Sequence, residues 1–375
     1  MRVHLVDPSA YTPPYDHALS AALAAAGADV ELYTSRFAYG SVPASVGYER
    51  VEHFYRAAEL APGSSPRAQR ARRALKLAEH APDMLRYRRL ARSADVVHFQ
   101  WLAMQQLDGR LLPRNVPLVL TAHDVLPREP RAGQRDAQRR LYERFDAIVA
   151  HTEHSRERLT QELGVDADRV HVIAHGAFAH LAELPAGPPP FQTDKRVVLF
   201  FGLLRPYKGL DVLLDAWRGI DDAELWIVGM PRMDVAELRA RAPASVRFVT
   251  RFVADAELPA YFRRADLVVL PYREIEQSGV LFTALAFGKP LLVSDVGGFS
   301  ELAASGAARA VAPGDADALR EAITTLLDDP AALDALRSGA LAAASGEYGW
   351  DAIARRTLAL YQSVQNSRSI SPSFS

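Results

Sequence analysis

The sequence predicts an α/β protein of two Rossmann-like domains, each a parallel sheet with helices on both faces, facing each other across a central cleft. Three observations predict it. Short apolar runs alternate with helical patterns along nearly all of the 375 residues, the pattern of parallel strands joined by crossover helices. A proline-rich run, Leu184-Pro185-Ala186-Gly187-Pro188-Pro189-Pro190, interrupts the series and can continue neither a helix nor a strand. The alternation then restarts, in a chain too long for one typical core.

In the first series, strands are expected at 3–6, 30–33, 96–99, 118–121, 147–150 and 170–173, with helical stretches such as 17–26 and 155–163 between them. In the second they are expected at 197–201, 225–228, 246–249, 267–270, 291–294 and 309–311. The expected domains are therefore 1–184 and 196–347, with 185–195 as linker. A last helix within 348–365 crosses back to the first domain, and the serine-rich 366–375 is a disordered tail.

Composition narrows the function classes. The net charge of -1 gives no pull toward nucleic acid. The chain has no cysteine, which excludes disulfides, thiolate metal sites and cysteine nucleophiles and fits a cytoplasmic protein. Met1 to Asp7 reads as a first strand rather than a signal peptide, and no apolar run approaches the length of a bilayer span.

Chemistry concentrates at two places in the second domain. The turn Gly202-Leu203-Leu204-Arg205-Pro206-Tyr207-Lys208-Gly209 follows an apolar strand and precedes an amphipathic helix. Two cations at a helix start suit a phosphate-bearing ligand, because free N–H groups and the helix dipole already favour anions there. Alternatively the turn is a surface loop with two solvated cations. Downstream, the strand at 267–270 runs into Pro271-Tyr272-Arg273-Glu274-Ile275-Glu276-Gln277-Ser278-Gly279-Val280, then a short helix ending at Gly288, then a strand and the Gly297-Gly298 turn. Small residues and carboxylates thus sit at strand C-termini, where open α/β sheets bind ligands.

These motifs, with Ala286-Phe287-Gly288-Lys289-Pro290, Glu301 and Tyr348-Gly349-Trp350, resemble the GT-B glycosyltransferases, specifically the retaining enzymes of glycosyltransferase family 4. The resemblance covers nearly the whole chain and is strongest from Val197 to Leu302. It implies that the C-terminal domain binds a nucleotide-diphosphate-sugar and the N-terminal domain an acceptor, which could be a carbohydrate, a lipid-linked sugar or a small molecule. It also implies that no metal and no cofactor is needed, with Arg205 and Lys208 neutralising the diphosphate. Gly202, Gly209, Ser278, Gly279 and Val280 are the implied donor-binding positions.

Two positions depart from the family pattern. Leu203 stands where an arginine is common. The family's pair of glutamates falls on Ile275 and Thr283. A hydroxyl at Thr283 can still bond a ribose hydroxyl, without charge assistance. Glu276 is the preferred substitute at the sugar and Glu274 the other candidate.

In the first domain, His123 ends the strand at 118–121. The resemblance implies that it lies near the sugar and donates a hydrogen bond to it. Tyr15, Gln100, Trp101 and Asp124 are acceptor-side candidates, and the segment Tyr11-Thr12-Pro13-Pro14-Tyr15 after the first strand is expected to offer a stacking surface. His151 and His175 also stand at strand ends. The stretch 67–92 holds nine cations interleaved with leucines. An ordinary solvated arginine-rich face is the first expectation for it; weak contact with an anionic membrane at the inner face is the second. Two rival functions stay open: a nucleotide-sugar epimerase of the same architecture, and a non-catalytic nucleotide-sugar-binding protein.

Overall fold

The computed structural model describes residues 1–37, 42–60, 65–126 and 133–370. The chain divides into two compact units, Met1–Ala174 with Trp350–Ser375, and His175–Gly349. In the first unit, β1 (Arg2–Asp7), β2 (Asp29–Thr34), β3 (Glu49–Glu52), β4 (Val96–Phe99), β5 (Leu118–Thr121), β6 (Ala147–Ala150) and β7 (Val170–Val172) form one sheet. Its order is β3-β2-β1-β4-β5-β6-β7, and every pairing is parallel. Val3 stands opposite Val30 on one side and Val96 on the other. Strands β4, β5 and β6 are buried along their whole length, which is why they read as mainly apolar runs, broken by His98 and ended by Thr121, rather than as alternation. The edge strand β3, Glu-Arg-Val-Glu, has no buried residue and gave no apolar signal to read.

The second unit contains β8 (Arg196–Phe201), β9 (Ala223–Val228), β10 (Val246–Val249), β11 (Leu267–Leu270), β12 (Leu291–Ser294) and β13 (Arg309–Val311). Their order is β10-β9-β8-β11-β12-β13, again all parallel. Trp217 and Trp226 are fully buried in its core. Each indole N–H is satisfied, by Ser245 Oγ and by Glu224 Oε2, both at 3.0 Å, as buried tryptophans require.

In each sheet the strand order reverses direction once, between β1 and β4 and between β8 and β11. Chains leaving adjacent strands part there toward opposite faces, and the crevice they leave is where such sheets take ligands.

Two sequence expectations need correction. The units divide at Ala174–His175, not at residue 184. The reason is local: Arg263 donates to the carbonyls of Ala182 and Leu184, both at 2.8 Å. Arg264 likewise holds those of Thr193 and Lys195. The proline-rich run is thereby strapped onto the second unit. The expected tail from 366 is helical through Ile370 in the Trp350–Ile370 helix, where Arg368 pairs with Asp146 at 2.9 Å. Residues 371–375 lie outside the described residues.

Candidate active site

In the second unit the basic turn leaves β8 at Gly202, whose φ of +110° suits glycine. A Cβ on Gly202 would lie 2.9 Å from Lys208 Nζ and 2.8 Å from Val280 Cγ2. Two different strand–helix loops thus converge on one point, and only a glycine leaves room there. Gly209, at φ +67°, meets the second loop as closely: its Cβ would fall 2.0 Å from the Pro271 carbonyl oxygen. Gly229, after β9, packs as closely on the basic turn itself: its Cβ would lie 1.8 Å from the Gly202 carbonyl oxygen.

The cations differ in setting. Lys208 is 6% exposed, its ammonium 4.8 Å from the centre of the Tyr272 ring, a cation–π contact. Arg205 is exposed. The second loop is fixed by a residue whose role the sequence did not reveal. Arg273 donates two hydrogen bonds to the Asp211 carboxylate, at 3.0 and 2.6 Å, and a third to the Pro206 carbonyl at 2.9 Å. Its backbone N–H donates to the Tyr207 carbonyl at 2.8 Å. That fork ties the loop after β11 to the turn after β8. The Asp211 carboxyl is held below its usual range by the Arg273 hydrogen bonds and charge, which outweigh burial.

Ile275 is buried in the core, whereas Glu274 is exposed and Glu276 half-buried. Ser278 is 5% exposed, its hydroxyl 3.4 Å from the Tyr272 hydroxyl. The helix Gly279–Ala286 starts directly after it and presents the free N–H groups of a first turn. Thr283 donates its hydroxyl to the Gly279 carbonyl at 2.9 Å, so it can only accept from a ribose hydroxyl. Lys289, quoted above with the family motif, instead caps the Arg263 and Ala265 carbonyls at 3.0 and 2.9 Å. Burial pulls its ammonium down to about 8.

The first unit gathers its polar groups at the C-terminal ends of β1, β4, β5 and β6. His123 stacks on Trp101 (4.9 Å, 11° between planes) and receives the edge of Tyr15 at 4.9 Å. Its Nδ1 lies 3.2 Å from His151 Nε2, and His151 Nδ1 lies 2.9 Å from the Ile173 carbonyl. The carbonyl can only accept, so His151 carries its proton on Nδ1 and accepts at Nε2. His123 must then donate from Nδ1, leaving Nε2 as an acceptor in the neutral ring. The neutral His123 ring thus has an acceptor at Nε2, where a donor was expected. Burial lowers His151 to about 4 and keeps it neutral.

Tyr15 is 2% exposed and sits in the Pro13–Ala25 helix, so it offers no stacking surface; Tyr11, 63% exposed and 5.3 Å from Trp101, does. Gln100 is fully buried and faces a cavity of about 40 Å³ shared with Thr121, His123 and Gln138. Its amide nitrogen and oxygen have no protein partner there, and a cavity that size holds a water. Trp101 is half-buried and Asp124 exposed. Asp7 shapes the loop after β1 by accepting from the N–H groups of Ser9, Tyr11 and Thr12. Asp16 beside it, raised well above the carboxylate range by burial and by the charge of Asp7, holds the proton of the pair. Thr12 in turn accepts from the Trp101 indole at 2.9 Å.

Two family profiles match the chain. The profile described as Glycosyltransferase Family 4 matches residues 15–177, and that described as Glycosyl transferases group 1 matches 195–329. The D-inositol 3-phosphate glycosyltransferase 1 of Catenulispora acidiphila is 30% identical over 308 residues, 72% of each chain. The chain belongs to glycosyltransferase family 4. A second relative of this transferase, the phosphatidyl-myo-inositol mannosyltransferase of Mycolicibacterium smegmatis, is 31% identical over 278 residues, 70% of this chain and 67% of that one. Among solved structures, sucrose-phosphate synthase from Thermosynechococcus elongatus superposes with a TM-score of 0.73 at 20% identity, over 98% of this chain and all of that one. The fold of the transferase is GT-B.

Proposed function

We propose that this transferase moves a sugar from a nucleotide-diphosphate-sugar to an acceptor hydroxyl with retention of anomeric configuration. The observation that carries the reading is the convergence of Gly202, buried Lys208 and Val280 at the point where the strand order reverses. Lys208 and Arg205 stabilise the departing diphosphate, together with N–H groups of Gly279 and Val280 at their helix start. Because two cations meet that charge, the reading requires no divalent metal and no cofactor. Ser278 supports the loop, and Thr283 accepts from the ribose. Glu276 and His123 each accept from a sugar hydroxyl, which orients the ring without forming a bond to it.

In the reaction, the bond from the anomeric carbon to the diphosphate breaks with both electrons leaving on the phosphate oxygen. The acceptor oxygen bonds to the same face of that carbon, and its proton passes to the departing diphosphate. Trp101 and Asp124 flank the acceptor, to be tested as a carbohydrate, a lipid-linked sugar or a small molecule.

The test is thermal unfolding with UDP, GDP, ADP and dTDP, followed by NMR of the product anomer. One nucleotide at about a hundred times its Kd should stabilise by roughly 2.7 kcal/mol, and Lys208→Ala should abolish the shift. No shift with any nucleotide, or a product of inverted configuration, would sink the reading. Conversion of donor alone into an isomeric donor would replace it with an epimerase.

A further inference from the structure

In the second unit, the chains leaving β8 and β9 stay paired for a further step beyond the sheet. Gly229 lets the chain after β9 lie against Gly202, the first residue after β8. The Leu204 N–H then donates to the Met230 carbonyl at 3.0 Å, and the Arg232 N–H donates to the Leu204 carbonyl at 2.9 Å. Leu204 thereby stands opposite Pro231 in a parallel bridge. Leu204 is fully buried, and successive side chains of an extended chain point to opposite sides. Arg205, still extended at φ -133° and ψ 153°, therefore turns away from the core. The next residue opposite it is Arg232. Paired parallel chains lie about 4.8 Å apart, so the bridge sets two arginines side by side.

Like charges held in that position repel each other. Elsewhere in this unit arginines are met by carboxylates, as in Arg196–Asp266, Arg241–Asp215, Arg247–Glu224 and Arg273–Asp211. Arg205 and Arg232 are exposed, and neither guanidinium has a hydrogen-bond or carboxylate partner among the described residues. Asp234, close by in the chain, turns its carboxylate to the Ala236 N–H at 2.9 Å. Buried Lys208 belongs to the same turn as Arg205. A backbone that holds cations together without a counter-charge is arranged for an anion from outside the chain.

We infer that Arg232 is a further donor-binding residue. With Arg205 it forms a pair of guanidiniums that grips the diphosphate of the nucleotide-sugar and of the product nucleotide. The inference rests on the transferase reading and deepens it. It adds the loop after β9 to a site otherwise drawn from the loops after β8 and β11. Guanidinium forks suit the ligand because each can donate parallel hydrogen bonds to phosphate oxygens. The repulsion within the pair destabilises the free protein slightly, and bound phosphate relieves it.

The test is calorimetric titration of the full chain and of Arg232→Ala with UDP, GDP, ADP, dTDP and inorganic pyrophosphate. Melting temperatures of the free proteins are measured alongside. R232A should weaken the best-bound nucleoside diphosphate by about ten-fold, the rough value of one charge-assisted hydrogen bond. R232K keeps the charge and loses the fork, so it should recover only part of that loss. Free R232A should melt at or slightly above the wild-type temperature, because a repulsion has gone; a residue that merely supported the loop would lower it. An unchanged diphosphate affinity in R232A overturns the inference, and so does a melting temperature several degrees below wild type. Pyrophosphate separates this result from the transferase reading. Arg232-dependent binding of pyrophosphate with no nucleotide bound supports the guanidinium pair and sinks the transferase reading. A nucleotide that binds independently of Arg232 sinks the pair alone, and no binding of any probe sinks both.

Discussion

A histidine's usefulness depends on which nitrogen holds the proton, and here a backbone carbonyl sets that for two rings in series. Ile173 fixes His151, and His151 fixes His123. The consequence is that the neutral His123 ring offers an acceptor at Nε2, where a protonated ring would donate. His151→Phe removes the lone pair that receives the His123 proton while keeping a buried ring. We expect kcat/KM to fall by roughly ten-fold, the value of about one hydrogen bond to a polar substrate group, and the acidic limb of the pH–rate profile to move. A profile that keeps its shape would rule out the relay. His123 was readable in the sequence because it ends an apolar run that could only be a buried strand. Its partner was not, since the contact joins residues 28 apart and depends on β5 and β6 being neighbours. Tyr15 misled for a related reason: sequence places it after β1, but the loop held by Asp7 ends at Thr12 and the helix begins at Pro13, turning that ring inward.

Among elements, the donor-side architecture is two loops fastened together. Gly209 allows backbone contact with Pro271, and Arg273 reaches across to Asp211 and Pro206. Both side chains of the ion pair are 43% exposed, so its contribution to stability is small, about 0.5–1 kcal/mol by double-mutant cycle. If Lys208 meets the nucleotide as proposed, its effect on ligand binding is expected to be larger, because Arg273 holds the backbone of Pro206 and Tyr207 beside Lys208. Arg273→Ala should therefore weaken nucleotide binding several-fold while lowering the melting temperature by only a few degrees, measured side by side by calorimetry and titration. Equal proportional losses in both would show that the pair acts on the fold alone. The strands of this region were legible because β8, β9 and β11 are continuous apolar runs bounded by glycine or proline. The fork was not legible, since Arg273 and Asp211 are distant in sequence and an exposed arginine carries no pattern. β3 escaped notice because an edge strand of four polar-flanked residues has neither period nor apolar run.

For the whole molecule, the tie between the chain's last helix and its first sheet is a neutral histidine. His98 Nδ1 lies 2.6 Å from Tyr361 Oη and its Nε2 2.8 Å from Thr121 Oγ1. Burial lowers His98 to about 3, as it lowers His151 to about 4. Both folded values lie below the ordinary 6.5, so the unfolded chain binds more protons between them. Stability contributed by the neutral rings is complete above about pH 6.5 and is lost as pH falls toward 4. Each ring adds a slope of about 1.4 kcal/mol per pH unit within that window. His98→Asn should flatten the acid limb of a melting-temperature profile, and an unchanged limb would refute the assignment. The architecture itself, two parallel sheets with a returning final helix, was legible from alternation and the Trp350 segment. The division at Ala174 was not, because Arg263 and Arg264 bind carbonyls, which any sequence supplies.

That returning helix also orders events in time. Ile353, Leu360, Tyr361 and Val364 complete the core formed by Val3, Leu5, Leu19 and Leu23. Residues 3–23 thus wait for residues 353–364 to be synthesised. Residues 175–349, by contrast, are continuous and can fold as soon as they emerge. The second unit is therefore complete before the first, and during synthesis the apolar surface of the Pro13–Ala25 helix needs shelter until residues 353–364 have emerged.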